Sequence, residues 1–363
     1  LVLLAASALA LAGDDPAGDD GVERARPATW AEATRDVFDP AWILPESRSV
    51  PGVPPERQPR DLARRARELA ALRFALPEGA EADPRVASFA DLVAACRGYG
   101  TDAKARDAFL AKVRTSRPDV WEACGADLLQ LGRDEFWRSA KWDPATDHDR
   151  DGILTAAPFR ADCEGKEPWT KVDADRLCQQ GLAVFAADVD AIKTGENDYT
   201  LYPSDTGAAY DFIYAVAGSF VAGRDPGGRP FSALRVMSRS DLPFPYSTYD
   251  CDLHILNRVG ADGIVRCDIY SKSADFHWLA GQDQYVPLVT PAGTFVGTMV
   301  VRVYGFDLDD VPDGEGNVRE ALRASLGNLR RRAEKAFADS GSKPRTLRDS
   351  VPDFVVRGAR KAE

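Results

Sequence analysis

The chain has 363 residues, 44% of them hydrophobic, which is enough for two ordinary domains with sizeable cores. A net charge of −11 excludes a basic footprint for nucleic acid and an electrostatic grip on an anionic membrane. Six cysteines suit an oxidising compartment.

Residues 1–12 open the chain as an apolar run, LVLLAASALALA, that resembles the tail of a secretory signal peptide. Ala10-Leu11-Ala12 fits a small-x-small cleavage site, and polar GDDPAGDDG follows. The run is too short to span a bilayer as a helix. A secreted or periplasmic location and no transmembrane span in the mature chain are therefore expected. Residues 13–57 are rich in Pro, Asp and Arg and show little periodicity, so they read as a linker or a loosely attached arm.

Residues 58–142 read as a helical region. Leu62, Ala66, Leu69, Leu72 and Leu76 form one stripe, and Phe89, Leu92, Val93 and Cys96 form the next. Phe109 and Val113 mark a third helix, and Val120, Cys124, Leu128 and Leu131 a fourth. Cys96 and Cys124 both lie on apolar faces, which permits a helix-to-helix disulfide; Cys163 and Cys178 are the other pair suggested by proximity. Residues 143–181 form a connector that contains DHDRDGIL, similar to the first half of a calcium loop of the EF-hand or dockerin kind. There Asp147, Asp149 and Asp151 would supply side chains and Ile153 a carbonyl to Ca2+. Pro158 stands where the bidentate twelfth ligand belongs, and the alternative is a solvated acidic turn.

Residues 182–338 form the second domain. Short strands are predicted at 182–187 and 199–202, then a helix capped by Ser204 and carrying Phe212, Ile213 and Val216. Strands follow at 231–238, 249–259, 265–273 and 294–306, and a long helix at 317–338 carries Leu322, Leu326 and Leu329 on one face. The tail, 339–363, is polar and expected to fray. The strands on either side of Gly263 fix a register. With Gly263 in the left-handed position of a three-residue loop, Val259 faces Val265, Asn257 faces Cys267 and Ile255 faces Ile269. Odd positions then form one apolar face and even positions, including Asp250, Asp252 and His254, a wet one. Cys251 and Cys267 are too far apart in this register to bridge.

The order of a helix, antiparallel strands and a long closing helix resembles the helix-grip fold of the START and polyketide-cyclase lipid-transport superfamily. Leu242-Pro-Phe-Pro-Tyr-Ser-Thr-Tyr-Asp250 is similar to that family's Pro-rich strand opening, with Tyr249 where the family has Arg. Arg302 and Leu326-Gly-Asn-Leu329 are similar to its last strand and helix. The fold class expected is thus α+β: a helical region, then a curved antiparallel sheet closed by a C-terminal helix.

The resemblance implies a cavity for a lipid or other hydrophobic small molecule. Leu253, Ile255, Asn257, Val265, Ile269, Met299, Leu326 and Leu329 are the candidate lining, and the alternative for each is ordinary core. An enzyme of cyclase or hydrolase type using the same cavity is the second reading, and it requires titratable groups converging inside. No nucleophile motif, zinc motif or phosphate loop is present, so no catalytic residue is assigned. His254 on the polar face and His277 beside Trp278 are the histidines considered. An interaction protein with a filled core is the third reading, and a hollow below about 300 Å³ counts against both cavity readings.

Overall fold

The computed structural model describes residues 21–43, 61–76, 85–100, 102–131, 154–159, 177–202, 210–241, 248–271, 279–306, 314–341, 344 and 355–361. The N-terminal apolar run, Asp147, Asp149, Asp151, Cys163 and His277 lie outside them.

The chain enters through two short strands, β1 (Val22–Arg24) and β2 (Arg26–Pro27), and the helix α1 (Trp30–Asp36). Thr29 and Glu32 start α1 with a reciprocal capping box, and a 3-10 turn at Pro40–Trp42 follows, capped by Asp39. Four helices come next: α2 (Leu62–Ala71), α3 (Phe89–Gly98), α4 (Ala103–Ser116) and α5 (Pro118–Leu131). Asp61, Ser88 and Asp102 accept from backbone amides at the starts of the first three.

The remaining elements are mostly strands. β3 (Leu154–Phe159) and β4 (Leu177–Phe185) precede the helix α6 (Val189–Glu196) and a 3-10 turn at Tyr199–Leu201. Then come β5 (Tyr210–Val216), β6 (Val221–Arg224), β7 (Pro230–Asp241), β8 (Thr248–Val259), β9 (Val265–Ser271), β10 (Leu279–Val289) and β11 (Phe295–Phe306). A long helix, α7 (Gly314–Asp339), and two terminal strands, β12 (Val355–Arg357) and β13 (Ala359–Arg360), end the fold.

The large sheet is curved and unclosed, with the order β13-β5-β7-β8-β9-β10-β11-β4-β3, and β6 and β2 branch from β7. The β8–β9 hairpin pairs Val259 with Val265, Asn257 with Cys267 and Ile255 with Ile269, and Gly263 turns it at φ +77°. Its odd residues Cys251, Leu253, Val259, Val265, Cys267 and Ile269 share a core with Leu322, Leu326, Leu329 and Ala333 of α7.

The opposite face is not wet. Leu62, Phe89, Val93, Val113 and Leu128 of the helical region pack on Leu182, Val184, Met299, Val301 and Val303. β4 and β11 are therefore buried on both faces, which is why TFVGTMVVRVYGF reads as a nearly unbroken apolar run. Farther along that face, Val37 and Phe38 at the end of α1 pack on Phe231, Leu256 and Tyr270. The region expected to be a loose arm is thus docked from residue 21 to residue 43, because Ala33, Val37, Phe38 and Trp42 put a small apolar stripe on one side. The tail is held as well: β12 pairs with β1, and β13 pairs with β5.

Three local expectations change. The stretch with Phe212, Ile213 and Val216 is the strand β5 rather than a helix; a short apolar run fits either period, and pairing with β7 decides. Tyr199–Leu201 is a 3-10 turn rather than a strand, with Asp198 accepting from the Thr200 amide at 3.2 Å. Cys96 and Cys124 are separate buried thiols rather than a disulfide, and burial pushes both up to about 12. Cys251 and Cys267 are unbridged too. No helix among the described residues is long and apolar enough to cross a membrane.

Candidate functional site

Between the inner face of the sheet and α7 lies a cavity of about 80 Å³. Ile213 of β5, Val236 of β7, Leu253 and Ile255 of β8, Ile269 of β9 and Leu329 of α7 supply apolar wall. Leu253, Ile255, Ile269 and Leu329 are four of the eight residues the sequence placed there. Val265 and Leu326 sit in the surrounding core. Asn257 is buried outside the lining, its amide donating to Ser232 Oγ at 3.2 Å. Met299 points the other way, into the core beneath the helical region. On β11 the inward positions are Val300, Arg302 and Tyr304, so an odd-numbered residue there faces the helices.

The floor of the cavity is charged, which the apolar pattern did not announce. Asp188 caps α6, accepting from the Ala191 amide at 2.8 Å, and the helix carries Lys193 and Glu196 one turn apart on the same side. β10 and β11 place Asp283 directly opposite Arg302. Tyr285, two residues along β10, faces the same way. Lys193 Nζ donates to Glu196 Oε2 at 2.5 Å and to Tyr285 Oη at 2.7 Å. Tyr285 Oη lies 2.9 Å from both Glu196 oxygens. Arg302 Nη2 donates to Glu196 Oε1 at 3.0 Å and to Asp283 Oδ2 at 2.8 Å, Arg302 Nε donates to Asp283 Oδ2 at 3.0 Å, and Arg302 Nη1 donates to Ser325 Oγ on α7.

Two cations and two carboxylates are thus locked together out of water, and the two carboxyls are shifted in opposite directions. Burial raises the Glu196 carboxyl, but Lys193 and Arg302 outweigh it and hold the group below its ordinary value. Burial pushes the Asp283 carboxyl up, and there Arg302 does not fully offset it. Burial raises the phenols of Tyr285 and Tyr304 well above the usual range, so both stay protonated donors. Among the described residues Asp283 Oδ1 has no hydrogen-bond partner, nor has Asn197 Nδ2; Asp283 is 0% exposed, Asn197 4%, and both residues line the cavity. At the rim, the guanidinium of Arg332 lies 4.3 Å over the Tyr202 ring.

His254 is away from this cavity. It stacks on Tyr270 at 4.6 Å on the outer face, and its Nδ1 lies 2.5 Å from the Val37 carbonyl beneath α1. The polar face expected to be solvated is covered there by docked chain. No cluster of three potential metal ligands occurs among the described residues.

No family model and no curated protein matches the chain in sequence. The fold is similar to solved structures. A STAR-related lipid transfer protein from Xanthomonas axonopodis matches 50% of this chain and 93% of its own, at 14% identity and a TM-score of 0.34. Human STARD10 matches 57% of this chain and 76% of its own, at 11% identity and a TM-score of 0.33. The di-domain ARO/CYC BexL from the BE-7585A biosynthetic pathway matches 44% of this chain and 50% of its own, at 13% identity and a TM-score of 0.28. These likenesses are distant.

Proposed function

We propose that this domain binds a small hydrophobic or amphiphilic molecule in the cavity that α7 closes against the sheet. The observation that carries the reading is the two-part lining: apolar walls from Ile213, Val236, Leu253, Ile255 and Ile269 over a charged floor from Lys193, Glu196, Asp283 and Arg302. Such a lining orients a ligand with its polar end down. At about 80 Å³ the space lies below the ~300 Å³ at the small end of ligand pockets, an outcome that counts against a lipid carrier and favours the filled-core interaction protein, so the binding reading is confined to an occupant far smaller than a lipid. A carrier role outside the cytoplasm is supported by the apolar N-terminal run.

Calorimetric titration with straight-chain alkanols from butanol to decanol tests the reading. Affinity is expected to rise with chain length and then stop at the length the cavity accepts; Leu253→Trp, which fills the space, is expected to abolish it. Absence of binding by every alkanol would refute the reading.

Catalysis in the same cavity is the second reading, and one observation favours it. Titratable groups do converge there, and burial raises the carboxyl of Asp283, as a general acid requires. Hydrolysis of methyl acetate, an ester small enough for the space, by the wild type but not by Asp283→Asn would support it; equal rates would remove it.

A further inference from the structure

Among the described residues, an acceptor and a donor beside the cavity are left over, Asp283 Oδ1 and Asn197 Nδ2. Asp283 Oδ2 takes both Arg302 contacts, at 2.8 and 3.0 Å, while Asp283 Oδ1 takes none. Asn197 Nδ2, at the C-terminal end of α6, also lacks a partner. Leaving a buried polar atom unmade costs more than a typical hydrogen bond contributes, so both atoms call for a complement. On the floor the charges are formally balanced, Lys193 and Arg302 against Glu196 and Asp283, while the further cation of the lining, Arg332, is held at the rim over the Tyr202 ring. In a low-dielectric pocket a net charge on the ligand would meet an uncompensated like charge on one side or the other. The space holds several waters or a ligand of a handful of heavy atoms.

We infer that the cavity selects a small neutral ligand whose polar end both donates and accepts a hydrogen bond, giving a hydrogen to Asp283 Oδ1 and taking one from Asn197 Nδ2. A primary carboxamide or a hydroxyl on a short apolar chain has this chemistry. A carboxylate has no hydrogen for Asp283, and an ammonium has no lone pair for Asn197. The inference rests on the proposed binding function and narrows its ligand class.

The test is a head-group series on one three-carbon tail: butyramide, butyrate and propylammonium, titrated by calorimetry against the whole chain at neutral pH. Butyramide is expected to bind at least about tenfold more tightly than either ion. Asn197→Ala is expected to weaken butyramide about tenfold. Asp283→Asn gives an outcome that mere loosening of the fold would not. Arg302 demands an oxygen, so the new amide nitrogen takes the place of Oδ1, and a leftover acceptor becomes a donor beside an uncompensated cation. The preference is then expected to invert, with butyrate binding more tightly than butyramide. Equal binding of the three head groups to the wild type, or preference for an ion, overturns the inference. Binding of butanol without a butyramide preference overturns it while leaving the binding function intact. If neither the alkanols nor butyramide bind, the space holds ordered water only and both fail.

Discussion

At the scale of single residues, the apolar wall and the charged floor were unequally legible. Leu253, Ile255 and Ile269 follow from strict alternation and one turn glycine. Asp283 does not, because LAGQDQYVPLV reads as a polar interruption rather than a strand. Its alternation is nevertheless real. Gln282 and Gln284 hydrogen-bond each other on the outer face, while Asp283 and Tyr285 meet Arg302 and Lys193 on the inner one. Arg302 is the hinge of this network, since it compensates both carboxylates. Arg302→Met is expected to cost about 3–5 kcal/mol in a urea titration, because two buried carboxylates lose their shared partner. The two carboxylates also give opposing pH dependences. Glu196 is held below its ordinary 4.5, so its contribution is present above that pH and lost as pH falls through the depressed folded value. Asp283 is raised above its ordinary 3.8, so its contribution is present below that pH and lost as pH rises through the elevated folded value. The stability of Asp283→Asn relative to the wild type is therefore expected to improve as pH climbs from about 4 towards neutrality. Urea midpoints for both proteins across that range check the sign.

At the scale of elements, the sequence showed where strands and helices meet but not what lies behind the sheet. Long β11 and α7 were readable from their periods, 2 and 3.6. The helix α6 was missed because it is short, and β5 was misread because a short apolar run fits either period. The contact that brings α7 down is easier to see in space. A Cβ built at Gly181 would lie 2.7 Å from Leu326 Cδ1 and 3.0 Å from Leu322 Cδ2. Glycine on β4 therefore lets α7 approach closely enough for Leu322 and Leu326 to be buried, and each such side chain contributes about 1.5–3 kcal/mol. Gly181→Ala meets the ends of flexible side chains, so the fold should survive with an overpacking cost of about 1–3 kcal/mol. The longest alkanol accepted should grow at the same time, because Leu329 on the same helix is a wall of the cavity. Lower stability with an unchanged chain-length limit would mean that α7 does not set the size of the hollow.

At the scale of the whole molecule, the first described strand, β1, meets β12 on the rim of the site, and no local pattern announces such long-range pairing. β1 pairs with β12 through Val22–Arg357, Glu23–Val356 and Arg24–Val355. The Arg357 amide donates to the Asn197 carbonyl at 3.0 Å, next to Tyr199 in the cavity lining, and the Ala217 amide donates to the Arg360 carbonyl at 2.7 Å. Val356 is 0% exposed and belongs to the same core as Leu253 and Leu329. These contacts have to beat the entropy of ordering a terminal segment, and a buried Val with several backbone bonds suffices. Ending the chain after residue 353 is expected to cost about 3 kcal/mol, the sum of one Val side chain and a few net hydrogen bonds. Hydrogen exchange localises the effect: the Ala217 amide should lose protection, whereas the Ile269 amide, in the middle of the sheet, should keep it. Because Asn197 holds both the Arg357 amide, through its carbonyl, and a leftover donor, through its side chain, the truncated chain should also bind butanol more weakly. Full affinity after truncation would show that the rim keeps its shape without the C-terminal strands, and that the β1–β12 and β5–β13 pairings stabilise the fold without shaping the site.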